Sequence, residues 1–287
     1  MLTGIGILFD GVAYGALLFL ISIGLSVTLG LMRFANLAHG VFFMIGGYAA
    51  VTAMKLWGLP LLATLPLAFI AGAVLGAVLE SLLYRRLYGS SVLDQVLFTM
   101  GLVFIATAAA VFIWGDAQQA VQLPAFLQGQ LLVGGLALGR YRLFLILFVV
   151  IVMAVLLLLL RYTRFGAQIR ASVDNRQAAA GLGINVGRVF TLAFALGSGL
   201  AGLGGALGVE IVGLDPNVPM TFLVIFLMVA VVGGAGSFGG ALIAALILGI
   251  ADVGVKYYLP SAGAFVAYPL MIALLFLFPH GLLGKRA

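Results

Sequence analysis

The sequence of 287 residues contains no cysteine and very few charged side chains. Without cysteine, disulfide bridges, thiolate zinc sites and cysteine nucleophiles are all excluded. Charged residues make up 8% of the chain and hydrophobic residues 64%, whereas about a quarter of the residues of a soluble domain are charged. No soluble core absorbs so much apolar surface, and apolar runs recur from end to end. The composition therefore indicates one membrane domain over residues 1–287.

The motifs of several other protein classes are also missing. No glycine-rich loop ends in Gly-Lys followed by Ser or Thr, so the chain is not expected to bind ATP. The eight acidic residues are scattered, and neither His39 nor His280 has a carboxylate at ligand spacing, so neither a catalytic pair nor a metal site is predicted. The net charge of +6 comes without a basic patch interleaved with aromatic residues, which argues against a nucleic-acid partner.

Long apolar runs are what the sequence has instead. A spanning helix needs about 20 largely apolar residues, and seven segments meet this requirement: 4–30, 40–57, 61–84, 92–114, 143–161, 188–210 and 264–280. An eighth region, 221–251, is apolar but interrupted by glycines at positions 233, 234, 236, 239 and 240. Each half of it, at about 12 residues, would rise about 18 Å as a helix, well short of a hydrocarbon core of about 30 Å. The predicted fold class is an all-α polytopic membrane protein with about seven full transmembrane helices plus a re-entrant or short-helix pair.

The basic residues orient these segments, because cytoplasmic loops carry an excess of Lys and Arg. Arg85 and Arg86 follow one segment, five arginines lie between positions 161 and 188, and Lys285 and Arg286 close the chain. These three sites are expected to be cytoplasmic. A cytoplasmic C-terminus then places the N-terminus outside, provided that residues 221–251 enter and leave on the same face. Arg140, Arg142 and Lys256 are the exceptions to the pattern.

The most polar stretch of the chain is the basic loop (residues 161–188). Within it, residues 167–181 are predicted to form one short helix, with Ile169 and Val173 making apolar contacts and arginines facing water. Gly181 and Gly183 would end this helix. Such a helix suits docking into a groove of a soluble partner. The alternative is a solvated loop whose arginines only set the topology.

Two intramembrane features are candidates for a translocation path. Broken backbone is tolerated in a membrane only where it is buried in protein or lines a wet cavity, which makes the glycines at 233–240 a path candidate; close helix packing is the alternative. Asn36 and His39 place polar side chains between two apolar helices, and such residues usually serve a pathway. Direct solute contact and a structural hydrogen-bonding role both remain open for them.

Several stretches together resemble one known family. They are MRFANLAHG at 32–40 with the Gly-Gly and Tyr48 just after it, RFGAQIR at 164–170, residues 175–178, GIN at 183–185, VVGGAGSFGGA at 231–241 and FPHGLLG at 278–284. In this order, over nearly the whole chain, they resemble the permease subunits of ABC importers for branched-chain amino acids.

The resemblance implies roles for particular residues. The basic loop would hold the coupling helix that seats in an ATP-hydrolysing subunit, and the residues expected in this docking loop are Arg164, Gly166, Arg170, Ala171, Asn175, Ala178, Ala179, Gly183, Ile184 and Asn185. The translocation path would form where two stretches approach each other, and its residues would be Asn36, His39, Gly40, Gly233, Gly234, Gly236 and Ser237.

The resemblance also implies an assembly in the bacterial inner membrane. The expected partners are a second, homologous but non-identical permease, two ATP-binding subunits that carry ATP and Mg, a periplasmic solute-binding protein, and the lipid bilayer. The chain itself would need no cofactor and would not be an enzyme. Its solute would be a branched-chain amino acid or a related small solute such as urea, a short amide or an aromatic acid.

Two other classes compete with this interpretation. An ion-coupled secondary transporter or channel would need its own ion or proton site within the membrane. Glu80, Asp94 and Asp252 all lie near segment ends, so no carboxylate occupies a helix centre. A membrane-embedded enzyme would need a paired acid and base, and the sequence offers none.

Overall fold

The computed structural model describes residues 2–32, 34, 36–260, 267–278 and 281–283. Within these ranges, seven helices are long and apolar enough to cross a membrane. They are α1 (Leu2–Met32), α2 (His39–Trp57), α3 (Leu61–Leu87), α4 (Val92–Trp114), α5 (Arg140–Tyr162), α8 (Val186–Val212) and α11 (Phe238–Tyr258). The predicted all-α polytopic class with seven spanning helices is thereby confirmed.

Shorter elements complete the described structure. The short helices are α6 (Arg164–Asp174), α7 (Arg176–Gly181), α9 (Val218–Thr221), α10 (Leu223–Gly233) and α12 (Ala267–Leu277). Strands β1 (Gln130–Val133) and β2 (Leu136–Gly139) form an antiparallel hairpin between α4 and α5. The hairpin was not predicted, although Gly134 and Gly135, at φ +57° and +83°, are typical of a tight two-residue hairpin turn.

Six predicted segments correspond to α1–α5 and α8, but the seventh spanning helix is a different one. It is α11, rather than the segment predicted at 264–280. Within that predicted segment the structure describes α12, a helix of 11 residues. Residues 261–266, 279 and 280 lie outside the described residues, as do Lys285 and Arg286 of the topology argument.

The prediction that residues 221–251 form two short halves is wrong for the second half. α11 has 21 residues and continues past Ala251 to Tyr258. Asp252 and Lys256 ended the apolar run in the sequence, but they lie one helical turn apart and form an ion pair of 2.6 Å. Pairing lowers the cost of carrying two charges in a spanning helix. The first half is short as predicted, since α9 and α10 end at the glycine turn (residues 233–237).

α8 is the central helix, and its neighbours approach it through glycine. A Cβ added to Gly24 of α1 would overlap the backbone of Gly197, and one added to Gly46 of α2 would overlap that of Gly202. α3 packs in the same way, because a Cβ at Gly72 would lie 2.5 Å from the carbonyl oxygen of Ser198. Small residues allow this close backbone contact in membrane helices. The high glycine content is therefore largely explained by packing.

The contacts also define the two ends of the bundle. α1 and α11 run antiparallel, because Gly11 lies against Ile250 and Gly30 lies against Gly236. We call the end that holds the glycine turn, the C-terminus of α1 and the basic loop the basic end. The opposite end holds the hairpin and the turn at Asp215, where Gln119 N donates to Leu214 O. Residues 218–258 thus enter and leave at the same end, as the topology argument requires.

A prediction follows from the glycine packing of α8. A Cβ at Gly205 would lie 2.8 Å from Gly47 N and would overlap the carbonyl oxygen of Phe43. We expect Gly205→Val to lower the free energy of unfolding by about 1–3 kcal/mol or more, since overpacking a tight core is destabilising. Thermal unfolding in detergent measures the change. Gly101→Val is the matched control, because Gly101 has no atom within 4 Å of an added Cβ; equal midpoints for the two variants would contradict the prediction.

Candidate functional site

The basic loop forms two short helices instead of the single helix predicted over 167–181. Asn175 separates α6 from α7, because its backbone is extended at φ −151° and ψ 104°. Its side chain accepts a hydrogen bond of 2.9 Å from Ala178 N and caps α7. Thr163 caps α6 and Asn185 caps α8 in the same manner. Three side-chain caps therefore fix the path of the loop.

One side of the basic loop is anchored to the bundle. Gly166 packs so closely on the backbone of Leu160 in α5 that a Cβ would overlap it, and Arg170 Nη1 donates to the carbonyl oxygen of Leu160. Ile169 is buried against α8. Ala179 is 2% exposed and packs in a cluster with Val186 and Phe190. Ala179 thus faces the bundle and is not on the outer surface of the loop.

The other side of the basic loop is free. Arg164, Asn175, Ala178, Gly183 and Asn185 are exposed, and Ala171 and Ile184 are half-buried. Leu182 is the feature that the sequence prediction missed: it is 82% exposed. It lies at the tip, next to Gly183, whose φ of +83° favours glycine. An exposed leucine with a basic rim is a surface suited to a protein partner. An apolar residue between two glycines of a polar loop was the signal for it in the sequence.

Beside the basic loop, Glu80 forms a buried polar hub. Glu80 is 0% exposed and accepts hydrogen bonds from Arg85 (3.2 Å), Tyr88 (2.8 Å) and Thr191 (2.6 Å). Arg85 Nη2 also contacts the carbonyl oxygen of Gly187 at 3.4 Å. Burial and the hydrogen bond to Glu80 raise the pKa of Tyr88, so its hydroxyl remains a donor. The hub joins the end of α3, where the helix takes a π-helical turn, to the start of α8.

A series of ring contacts leads from the basic loop into the bundle. Arg176 of α7 lies over the ring of Phe190 at 5.5 Å. From there, centroid separations of 5.0 to 6.1 Å, within the range of favourable aromatic pairs, connect seven side chains. We call this the aromatic chain, and its members in order are Phe190, Tyr88, Phe34, Tyr84, Phe194, Phe42 and His39. It joins the basic loop physically to one of the two predicted path stretches.

That stretch, residues 36–40, lies deep in the bundle. His39 starts α2, and its Nε2 lies 2.8 Å from the carbonyl oxygen of Ile21, a residue well inside α1. Asn36 is fully buried; its Oδ1 accepts from Ala38 N at 3.1 Å, while its Nδ2 has no partner. A Cβ at Gly40 would lie 2.8 Å from Pro219 Cα. The start of α2 thus meets the start of α9 inside the membrane domain.

The glycine turn is the second predicted path stretch, and it folds onto α1. Gly236 N donates to Ser26 O at 2.9 Å. Gly234 and Gly236 have φ values of +92° and +80°, so glycine is required for the shape of the turn. Gly233 is buried against α11, where an added Cβ would lie 2.6 Å from Ala241 N. Ser237 caps α11 by accepting from Gly240 N at 3.1 Å.

Both stretches contact α1 between Ile21 and Gly30. Among the described residues, no hydrogen bond joins one stretch directly to the other. Ser22 Oγ, Ser26 Oγ and Asn36 Nδ2 are buried and unpaired, and buried polar atoms without partners are rare in native proteins. The other unpaired atoms among the described residues belong to Tyr48, Tyr84 and Ser172, in α2, α3 and α6. The two serines lie on the part of α1 that both stretches contact.

The described residues hold no cluster of three or more potential metal ligands. The polar groups along the candidate path are hydroxyl, amide, imidazole and backbone groups, which suit transient hydrogen bonding to a passing solute. Comparison with known proteins agrees with a transport role. The family model described as branched-chain amino acid transport system, permease component, matches residues 7–277.

Individual relatives match over almost their full length. The high-affinity branched-chain amino acid transport system permease protein LivH of Escherichia coli strain K12 is 29% identical over 294 residues, which cover 97% of this chain and 94% of that protein. The corresponding permease protein BraD of Pseudomonas aeruginosa is 28% identical over 291 residues, covering 97% of this chain and 95% of that protein. No solved structure gives a significant match.

The polar hub at Glu80 generates a prediction about stability. Glu80→Gln removes the charge that Arg85 faces and turns an amide group toward two hydroxyl donors, so we expect a loss of about 1–3 kcal/mol in the free energy of unfolding, as for other buried groups left unsatisfied. Thermal unfolding in detergent again reports it. Glu210→Gln makes the same chemical change at an exposed site, and we expect it to stay within about 0.5 kcal/mol of the unmodified chain. A similar loss in both variants would argue against the hub.

Proposed function

The chain belongs to the family of permease components of branched-chain amino acid transport systems, and from this premise we propose that it is a membrane-spanning subunit of a binding-protein-dependent ABC importer. As a permease-family protein it is the membrane component of a transport system. Its proposed solute is a branched-chain amino acid or a related small solute such as urea, a short amide or an aromatic acid. ATP and Mg would be held by partner subunits, and the solute would cross by alternating access.

The observation that carries the proposal is the construction of the basic loop. Its two short helices, α6 and α7, lie outside every spanning helix, three side-chain caps fix its shape, and Leu182 and Arg164 are exposed on it. A loop that only set the topology would need the arginines but neither the caps nor the exposed leucine. The surface instead suits a groove on an ATP-binding subunit, with one such subunit for each of two permeases.

The aromatic chain supplies a route for coupling. Packed interiors are dense and deform little, so a displacement of one ring moves its neighbours. When an ATP-binding subunit closes, it would shift α7, and the shift would pass through Phe190 and Phe34 to His39. The segment at 36–40 would then separate from α1 or from Pro219. In this mechanism the chain performs no chemistry and serves as a gate.

The unpaired polar atoms fit the closed state of such a gate. Ser22, Ser26 and Asn36 leave donors without acceptors in the arrangement described. Opening would admit water or solute to these atoms and satisfy them. The cost of burying them therefore favours opening and partly offsets the packing lost from the glycine contacts.

The proposed orientation follows from the charges. The basic end would face the cytoplasm, which puts the N-terminus of α1 outside and the C-terminal residues inside. A periplasmic solute-binding protein would then deliver solute to the opposite end. A second, homologous permease would lie beside this one in a bacterial inner membrane and would complete the path.

Docking through the basic loop can be tested at Leu182. We expect Leu182→Asp to abolish or strongly reduce co-purification of the ATP-binding subunits, since it places a charge at the centre of the exposed apolar tip. Leu132→Asp is the matched control: Leu132 is 76% exposed, on the hairpin at the opposite end, and its change should leave the association intact. Undiminished co-purification of the Leu182→Asp variant would show that the docking surface lies elsewhere.

Energy coupling is tested by reconstitution in proteoliposomes. The chain is co-expressed with the second permease, ATP-binding subunits and binding protein encoded by neighbouring genes, and uptake of radiolabelled L-leucine is measured with internal or external ATP and with an ion gradient alone. We expect uptake that requires the binding protein and ATP on the side of the basic end. Gradient-driven uptake by this chain alone would instead identify an ion-coupled secondary transporter.

A further inference from the structure

Two of the three basic residues that broke the topology pattern have acidic partners at the opposite end of the bundle. Arg142 of α5 forms an ion pair of 2.5 Å with Asp10 of α1, and Lys256 of α11 forms one of 2.6 Å with Asp252. Arg140 is exposed and has no ion-pair partner among the described residues. Two of the three exceptions are therefore accounted for by pairing, but pairing does not explain why both pairs lie at the same place.

The two ion pairs face one cavity of about 370 Å³. We call it the charged vestibule, and its lining includes the four charged side chains together with Tyr14, Phe222 and three aliphatic residues of α8 and α11. Small-molecule sites in proteins commonly have volumes of about 300–1,000 Å³. The vestibule is thus of a size to admit a solute such as an amino acid.

The charged groups of the vestibule keep unused bonding capacity. Arg142 Nη1 lies 2.5 Å from Asp10 Oδ2, and a guanidinium group has five N–H donors, more than one carboxylate can accept. Lys256 likewise uses one of three donors, and one carboxylate oxygen of each aspartate has no hydrogen bond among the described residues. The site can therefore donate to an added carboxylate and accept from an added ammonium group without first breaking its own pairs.

A purely structural role explains the two pairs poorly. The pair of Arg142 and Asp10 links α5 to α1, whereas Asp252 and Lys256 pair within one helix, and Lys256 reaches α1 only through its position 5.7 Å from the ring centroid of Tyr14. A pair of this kind adds only about 0.2–0.5 kcal/mol to a helix. Asp252 has a side chain only 11% exposed, and burying a carboxylate costs more than such a pair returns. Intramembrane ionisable groups of this kind are more often part of a solute path.

The vestibule also has an apolar wall, and two of the helices that line it lead to the candidate path. Phe222 lies at the bend between α9 and α10, and Ile211 and Val212 end α8. α10 leads from this bend to the glycine turn, and α1 leads from Asp10 to Ser22 and Ser26. Solute held in the vestibule would therefore lie at the ends of α1 and α10, the two helices that lead to the candidate path.

We propose that the charged vestibule binds the zwitterionic head of an α-amino acid, with its ammonium group on Asp252 or Asp10 and its carboxylate on Arg142 or Lys256, and its side chain against Phe222. The inference rests on the proposed function in taking the opposite end as the side of solute entry. It also selects among the proposed solutes. A zwitterion brings one charge of each sign to a site with two of each, whereas neutral urea or a short amide offers hydrogen bonds but no charge to offset the cost of desolvating four charges.

The test uses the absence of native cysteine. Val253→Cys places a single thiol in the vestibule of the full chain, assembled with its partner subunits in right-side-out membrane vesicles without ATP. The rate of its reaction with a membrane-impermeant maleimide is measured with and without L-leucine. At ten times the dissociation constant of the site, L-leucine should slow the reaction about tenfold, because only the empty sites react.

Analogues and matched variants distinguish the proposed chemistry. L-Leucinamide lacks the carboxylate and isocaproate lacks the ammonium group, so each should protect the thiol at least tenfold less effectively than L-leucine. Asp252→Asn and Arg142→Gln should each weaken protection by L-leucine at least tenfold, because the site then holds an unequal number of acids and bases, while Asp116→Asn, an exposed acid at the same end, should leave it unchanged. A single thiol at exposed Gln122 should react at one rate with and without L-leucine, which excludes an effect of L-leucine on the reagent, and co-purification with the partner subunits shows that each variant is folded.

The outcomes separate this inference from the proposed function. Equal protection by L-leucine and by either analogue would overturn the zwitterion site, as would a lack of protection in vesicles that carry out ATP-driven uptake of L-leucine. Protection that is specific to L-leucine would support the site even if uptake proved to be driven by an ion gradient, since the labelling needs neither ATP nor turnover.

Discussion

Backbone contact along α8 is the constraint on which the rest of the structure depends. A bilayer supplies no hydrophobic force between helices, because lipid tails are as apolar as leucine, so the helices associate by close packing. Glycines of α1, α2 and α3 bring three helices to within backbone contact of α8. The packed centre encloses the interrupted backbone at the start of α2 and at the glycine turn. Such interruptions are tolerated in a membrane only where protein encloses them.

The start of α2 and the glycine turn are the parts that the tight centre makes possible. Each leaves backbone and side-chain polar groups inside the domain, and each is held on α1 by one hydrogen bond, from His39 to Ile21 or from Gly236 to Ser26. Few bonds hold them, whereas the glycine contacts of α8 are extensive. In the proposed gate, opening at these stretches would therefore break fewer backbone contacts than separating the central helices. In the proposed mechanism, the aromatic chain and the hub at Glu80 would direct movement of the basic loop to these contacts.

Much of this arrangement could be predicted from the sequence. The predictable parts are those that depend on the length of an apolar run or on a helix-breaking residue. Six spans, the break at the glycines and the polarity of the basic loop follow from local patterns. The full length of α11 did not, because Asp252 ends an apolar run unless its pairing with Lys256 is known. Asn175 breaks the predicted helix through its own capping bond. The buried position of Glu80 could not be predicted from the sequence. One of the hydrogen-bond donors to its carboxylate is Thr191, which is remote in sequence.

The candidate site was harder to predict for the same reason. The residues of the basic loop were found by their charge, but which of them face inward depends on tertiary packing, as the burial of Ala179 shows. The charged vestibule draws on α1, α5 and α11, whose order in the sequence places Asp10 and Asp252 near opposite ends of the chain. No local pattern brings them together. Only the antiparallel packing of α1 against α11 does so.

The hairpin at the opposite end has a mechanical consequence. β2 ends at Gly139 and α5 begins at Arg140, with no linker between them, so a tilt of α5 would be passed directly to the hairpin, which also packs against α1. Four strand residues extend about 13 Å, which makes the hairpin a lever arm outside the bundle. A tilt of α5 by about 10° would swing its tip by about 2 Å over that length. Small rotations buried within the bundle would thus appear as larger sweeps at the surface where a delivering protein would land.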